Sequence, residues 1–408
     1  MLFLKPVEEH IPKNWLYNKL MKTNIYLAAS LLVCLVCWYQ NSFAQQDNRV
    51  VQSGAAFLML SADARNSGVA EAGTGLGVDA NSLYINPAKI TFGEMMSISA
   101  SYTPWMKQLS KDSHLGYLSA FRQLNDREAI GLSVKYLDLG SIAFRDESGT
   151  LIEQYKASEF SIDASYARKF GETFGMALTA RYFRSDIGRG TYNNLELTPT
   201  DAFAADISVY SNRELQNGQY SRTFSWGINL SNIGTKLKYS DNQTTFLPMN
   251  LRLGAGYNFY AAPESRLTLL LDVNKLMVPT PPRYKKDING NFTNEIEKGK
   301  DPNRSVTSAL FTSLFDAPGG FKEELSEFTI AGGLEFSYYN RFFIRTGYFY
   351  EDPEKGNRQH FATGIGLNVH PIRIDVSYVF PTEDRYVLRN SMRFTLSFTP
   401  GIDKVSRN

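Results

Sequence analysis

The sequence predicts an all-β protein: a transmembrane antiparallel β-barrel of about 14 strands closed around an N-terminal plug in its lumen. Three observations predict it. From Met95 onward apolar and polar residues alternate with period two, as in a strand with one greasy and one wet face. The polar face carries Gly, Ser, Asn, Arg and Asp, where a soluble sheet would show Lys, Glu and Thr. The connections alternate between short and long, as in barrels with short periplasmic turns and long outer loops.

The totals agree. The chain has 408 residues and a formal charge of +2, so no nucleic-acid footprint is present. Aromatics are abundant, at 23 Tyr and 27 Phe, and recur near strand ends as an interfacial girdle requires. Mean hydropathy is −0.28, too low for a helical membrane protein and compatible with strands that show half their side chains to a polar lumen.

Taken in order, residues 1–44 form a leader. An apolar run from Ile25 to Trp38 follows Lys22 and precedes Ser42-Phe43-Ala44, which predicts signal cleavage between Ala44 and Gln45. Met21 looks like the natural start, with residues 1–20 either an upstream extension or a long n-region that begins at Met1. Both cysteines, Cys34 and Cys37, fall inside the leader, so the mature chain is expected to have no disulfide, thiol nucleophile or thiolate-held metal.

Residues 45–94 are the predicted plug. Gly54 to Phe92 is rich in Gly, Ala, Ser, Asp and Asn, with one apolar run at Phe57-Leu58-Met59-Leu60. Gly68, Gly73, Gly75 and Gly77 permit sharp turns, and Asn86-Pro87 marks a turn or helix start. Asp63, Arg65, Asn86 and Pro87 are the candidate plug residues, polar or turn-forming groups suited to a wet, enclosed space.

The barrel is expected over 95–400, with a short tail at 401–408. Phe160, Ile162 and Tyr166 share one face while Ser161, Asp163 and Ser165 share the other. Arg252, Gly254, Gly256 and Asn258 share a polar face in the same way. Strands are expected near 95–105, 114–124, 129–140, 159–170, 174–185, 201–211, 222–233, 250–260, 265–277, 327–339, 341–351, 360–369, 372–380 and 391–399. Gaps 141–158, 186–200, 234–249 and 278–326 are long, while those at 125–128, 171–173, 261–264 and Asn340 are short; 212–221 is intermediate.

The largest insertion, 278–326, opens on Val278-Pro-Thr-Pro-Pro282, a stiff extended piece. A charged run follows. Val306, Leu310, Phe311, Leu314 and Phe315 then recur at helical spacing, ended by Pro318-Gly319-Gly320. A loop of this length usually carries function. Pro279, Pro281, Pro282, Leu310, Phe311 and Phe315 are the candidate partner-binding residues.

No catalytic constellation emerges. His114, His360 and His370 stand apart, without metal-ligand spacing. Gly73-Thr-Gly-Leu-Gly77 lacks the lysine and strand–helix context of a phosphate loop, and Asp287 to Asn291 reads as a turn. The chain is expected to need no cofactor and to be no enzyme.

Gly54-Ala-Ala-Phe-Leu58, Asp63-Ala-Arg65, Gly68, Ala72-Gly73, Asp79-Ala-Asn81 and Asn86-Pro-Ala-Lys89, with Ser101 to Trp105 and Asp272 to Pro282, resemble the PorV family of the Bacteroidetes type IX secretion system. The Asn-Pro-Ala element is shared more widely with FadL-like transporters, and the PorQ paralogues have a similar barrel. Gly54-Ala55-Ala56 stands where the family more often has Gly-Val-Pro. The resemblance implies an outer-membrane, FadL-like barrel that binds the C-terminal signal domain of secreted cargo. It implies transfer of that cargo from the Sov/SprA-like translocon to the PorU sortase complex. The alternative it implies is a channel for hydrophobic small molecules, as in FadL relatives.

Overall fold

The computed structural model describes residues 49–105, 112–145, 148–192, 195–215, 222–240, 243–382 and 391–401. The predicted cleavage site at Ala44 and Gln45 and the end of the tail lie outside these residues.

Fourteen antiparallel strands close into a barrel. They are β1 (Met96–Pro104), β2 (His114–Gln123), β3 (Glu128–Arg145), β4 (Leu151–Lys169), β5 (Phe174–Asp186), β6 (Thr200–Leu215) and β7 (Arg222–Gly234). The second half comprises β8 (Asn250–Ala262), β9 (Ser265–Leu276), β10 (Phe328–Tyr338), β11 (Phe342–Tyr350), β12 (His360–Val369), β13 (Ile372–Pro381) and β14 (Met392–Phe398). Each strand pairs with the next, and β1 pairs with β14 from Ile98↔Phe398 to Tyr102↔Phe394. Closure leaves no open sheet edge, which the hydrocarbon layer demands because it offers no water to unpaired backbone groups.

The wall is inside-out relative to a soluble protein. Leu132, Leu178, Ile344 and Ile365 face outward and are exposed, while Arg345, Glu335, Asp272 and Asp375 face inward and are buried. Ser161 and Asp163 point inward and Ile162 and Tyr166 outward, as the alternation predicts. Among the described residues no helix is long and apolar enough to cross a membrane; the strands do so.

One expected gap differs. Residues 141–158 are largely ladder, because β3 and β4 stay paired from Glu128↔Arg168 to Arg145↔Leu151 through a bulge between Asp138 and Gly140. Apolar alternation marks only the stretch in lipid. Backbone pairing needs no greasy face, so the hairpin extends past that signal. Smaller hairpins within other long connections join 190–192 to 195–197, 237–240 to 243–245 and 283–286 to 292–298.

Residues 49–92 run inside the ring of strands, starting near the ends that bear the long connections. They include a 3-10 turn (Ala56–Met59), α1 (Ala64–Gly68), α2 (Ser82–Ile85) and a second 3-10 turn (Pro87–Phe92) that leads to β1. Asp63 caps α1 by accepting a hydrogen bond from the Asn66 amide, and Asn86 caps the second turn by accepting one from Ala88, with Pro87 at its first position. Glycines let two backbones touch: a Cβ on Gly256 of β8 would lie 2.6 Å from the Cα of Gly75. Apolar satellites complete the packing, with Val69, Ala70, Ala72 and Leu76 against Leu270 and Phe349.

Candidate docking surface and the occluded lumen

The luminal segment is tied to the wall on many sides, by an ion pair at Arg65 and by hydrogen bonds. Arg65 donates to Asp79 at 2.8 Å and to Glu335 of β10 at 3.3 Å. Glu335 also accepts from Arg345 at 2.7 Å, Arg345 pairs with Asp375 at 2.8 Å, and Arg373 donates to Asp375 at 2.8 Å. These groups exclude water from one another, so each depends on its partners to offset desolvation. Further round the ring, Thr74 donates to Asp272 at 2.7 Å and Lys135 to the Leu60 carbonyl at 2.6 Å. The Ala64 amide donates to Thr395 at 2.9 Å, and the Arg393 guanidinium to Ser67 at 2.6 Å. The Asn86 side-chain Nδ2 donates to the Val209 carbonyl at 2.9 Å.

All four candidate plug residues lie in the luminal segment, Asp63 and Arg65 on the side of β10 and β14 and Asn86 and Pro87 on the side of β6 and β7. Asp63 and Asn86 shape the segment, Pro87 starts its last turn, and Arg65 joins it to the wall.

Toward the long connections, a cavity of about 450 Å³ remains between this segment and the wall. Val50 to Ser53, Leu58 and Met59 line one side, and Asn229, Arg252, Asn274 and Thr329 another. These last four occupy one inward row across β7, β8, β9 and the start of β10, since Arg252 is opposite both Asn229 and Asn274, and Asn274 is opposite Thr329.

The 278–326 insertion sits beside this rim. It contains the 283–298 hairpin, α3 (Val306–Thr312) and α4 (Phe321–Ser326). In the hairpin turn, Asp287 accepts from the Asn289 and Asn291 amides at 2.8 and 2.9 Å, the geometry of a side-chain-capped turn. Ser305 caps α3 through the Ser308 amide. Val306, Ala309, Leu310 and Leu314 face the rim, against Phe246, Met249, Met277 and Val278.

That packing divides the six candidate residues. Phe311 and Phe315, four apart, point outward and are 70% and 75% exposed. Leu310 turns the other way and packs on the rim cluster. Pro279 and Pro282 are buried and Pro281 is half-buried. The prolines thus sit at the root of the insertion, where neighbouring Thr280 donates to Glu327 at 2.8 Å. The second helix has no counterpart in the sequence pattern. It adds Phe321 and Leu325 to the exposed apolar face, at 75% and 53%. α3 ends at Thr312, earlier than the expected stop at Pro318-Gly319-Gly320, which instead leads into the next helix: Gly320 has φ 72° and precedes α4.

An ion-pair chain fastens the insertion to the N-terminal strap. Arg49 makes a two-pronged contact with Glu323, at 3.1 and 3.0 Å. Lys355 joins Glu323 at 2.7 Å to Glu327 at 3.0 Å, and Lys275 binds Glu327 at 2.6 Å and Glu324 at 2.7 Å. Burial pushes the Glu323 carboxyl up, but hydrogen bonds from Arg49 and Lys355 outweigh it and hold the group at about 2. No sequence signal pairs Arg49 with Glu323, because neither belongs to a motif.

Comparison with known proteins adds the following. Residues 43–283 match the family model described as "Type IX secretion system protein PorV". The fold is similar to the Pseudomonas putida toluene transporter TodX, with 11% identity, 87% of this chain and 100% of that chain covered, and a TM-score of 0.49. It is also similar to a Pseudomonas aeruginosa FadL homologue, with 11% identity, coverage of 83% and 98%, and a TM-score of 0.44. The Ralstonia pickettii toluene transporter TbuX gives 9% identity, coverage of 81% and 97%, and a TM-score of 0.45. No curated protein matches by sequence. The family match spans more than half of a chain whose strands close into a membrane barrel, so the protein belongs to the PorV family of type IX secretion system proteins of the bacterial outer membrane.

Proposed function

We propose that this protein is a non-catalytic carrier that binds the C-terminal signal domain of secreted cargo and passes it from the translocon to the sortase attachment complex. The observation that carries the reading is the division of labour between lumen and insertion. The lumen holds a segment bound to its wall. The insertion presents Phe311, Phe315, Phe321 and Leu325 to solvent. An exposed apolar group of this kind, set among charged residues, favours protein contact. Aromatic anchors on the outer side can grip a β-rich domain, and the exposed edges of the 283–298 hairpin can add backbone pairing. Neither contact needs side-chain chemistry.

The alternative, a channel for hydrophobic small molecules, draws less support. The wall side of the luminal cavity presents Asn229, Arg252, Asn274 and Thr329, a polar surface that is costly to dehydrate against a greasy solute.

The test is deletion of the gene, complemented with wild type or with Phe311→Ser/Phe315→Ser. Surface cargo should accumulate in the periplasm of the deletion strain, and the double variant should insert normally yet recover less translocon and sortase in pull-downs. Normal cargo export in the deletion strain would reject the carrier role. Undiminished pull-down by the double variant would move docking away from the insertion.

A further inference from the structure

We propose that residues 49–53 form a lid over the outer end of the lumen, latched shut by Glu323 of α4. The strap is tied at both ends. At one end the Gly54 amide donates to the Phe246 carbonyl at 2.9 Å. At the other the Arg49 guanidinium grips Glu323 through Nε and Nη2, and the Arg49 carbonyl accepts from Lys355 at 3.1 Å. Phe246 belongs to the connection between β7 and β8, Glu323 to the insertion between β9 and β10, and Lys355 to the connection between β11 and β12. All three stand at the end of the barrel that bears the long connections. The strap therefore runs across that end, from the β7–β8 side to the β11–β12 side.

Between its ties the strap is loose. Among the described residues no hydrogen bond reaches Val50, Val51, Gln52 or Ser53. Val51 rests on the cluster that holds Phe246 and Met249. These four residues line the cavity, whose floor includes Leu58, Met59, Glu71 and Tyr84 of the same luminal segment. A stretch tied at its ends and unpaired between them opens by losing one tie, without unravelling a ladder. The Gly54 end is fixed, since the chain runs on into Ala55, Phe57 and Leu58, buried with Trp105 and Phe183. At the Arg49 end the ties are polar, and the Arg49 and Glu323 side chains keep 14% and 12% of their surface in solvent.

The latch has a moving part of its own. α4 is six residues long and is entered through Gly319-Gly320, with Gly320 at φ 72° and open space where a side chain would stand. Its faces are inverted for a surface helix. Glu323 and Glu324 are turned to ion pairs with Arg49, Lys355 and Lys275, while Phe321 and Leu325 face water. A tilt of so short a helix carries Glu323 off Arg49. The plug stays in place when this happens, because Arg65 with Glu335 and Gly75 against Gly256 share no residue with the latch. The lid thus admits solutes from outside to a vestibule above a lumen that remains blocked.

Thiol labelling in outer membranes tests the latch. Thr329 lines the cavity from the wall, and no cysteine follows Cys37, so Thr329→Cys gives a chain cleaved after Ala44 one thiol. The probe is the small cationic reagent 2-(trimethylammonio)ethyl methanethiosulfonate. Where the lid closes faster than the probe reacts, the labelling rate reports the fraction of open lids. Glu323→Gln and Arg49→Gln should each speed labelling about fivefold, the scale set by loss of a well-formed, partly exposed ion pair. The two variants shift the local charge in opposite directions, so acceleration in both reports opening and not attraction of the probe. The double variant should be no faster than the faster single one, because both break the same tie. Asn274→Cys repeats the measurement at a second cavity position, and Ile288→Cys on the exposed hairpin turn should react equally in every background. Conductance in planar bilayers should stay at the wild-type level. An unchanged rate in either single variant that keeps the heat-resistant barrel band, additive acceleration in the double variant, or conductance that rises with labelling would overturn the proposal.

Discussion

Two long stretches of this chain lie outside the barrel ladder, and they are built in opposite ways. Residues 54–92 are small and polar and almost wholly enclosed. Arg65 reaches the wall at Glu335, while Asp63, Asp79 and Lys89 find partners within the segment. Residues 278–326 are anchored at their root and exposed beyond it, with Phe311 and Phe315 unpacked. An enclosed segment must satisfy its polar groups with protein partners, since little water reaches them. A segment in water is free of that demand and can keep apolar groups for another surface. The contrast teaches that enclosure obliges the luminal segment to meet its polar groups with protein, whereas the insertion leaves apolar rings unpacked.

The comparison breaks most severely at Glu335, which holds both Arg65 and Arg345. Glu335→Ala leaves two buried guanidinium groups short of a partner and should cost about 3–5 kcal/mol. Urea titration in micelles, read by loss of the heat-resistant band, measures it; a loss close to zero would mean the luminal charges are not desolvated.

A smaller effect is expected where the backbones touch. In Gly256→Val the first side-chain carbon alone would fall 2.6 Å from the Gly75 Cα, and the substitution should cost about 1–3 kcal/mol. Displacing the luminal segment should also raise ion conductance in planar bilayers, whereas unchanged conductance would argue that the segment is not what blocks the lumen.

The strap contact is weaker still. Glu323→Gln should cost about 1 kcal/mol, the range for a well-formed but partly exposed pair. Its pH dependence has a definite sign. The folded carboxyl sits at about 2, below its usual 4.5, so the stabilisation is complete above 4.5 and is lost as pH falls toward 2. A spin label attached at Val50→Cys should become mobile in that window, and in Glu323→Gln should be mobile at neutral pH. No cysteine follows Cys37, so the label has one site in a chain cleaved after Ala44.

The smallest effect on stability belongs to the insertion. Phe311→Ser and Phe315→Ser should change stability by less than about 0.5 kcal/mol, because these rings pack on little within the protein. Partner recovery is where they should register, and a large loss of stability would instead make them structural.

Strand number and facing were legible in the sequence because lipid imposes a period of two on every crossing. Any one-residue slip would turn Ile162 and Leu132 inward and Asp163 and Ser133 toward hydrocarbon, so local pattern alone sets the register of faces. The helix start at Asn86-Pro87 was legible for a similar reason, since a cap acts over two or three residues; the cap at Asp63 was not read from the sequence. The candidate surface was only partly legible. Helical spacing identified α3, yet it did not reveal that Leu310 meets the rim while Phe311 faces water, nor that Pro279 and Pro282 are buried. The side that Leu310 takes depends on Phe246 and Met249, contributed by a different connection.

By itself, then, the sequence determined a closed wall with greasy outer and polar inner faces, and a small-residue segment to go inside it. Only the tertiary structure decided which charges meet: Arg65 with Glu335 and Arg49 with Glu323, each pair more than two hundred residues apart. Closure and strand order bring such groups together, and neither is encoded within the reach of a local pattern. The left-handed turn at Glu71 belongs to the same class, since the Arg252 contact that helps fix it comes from a distant strand.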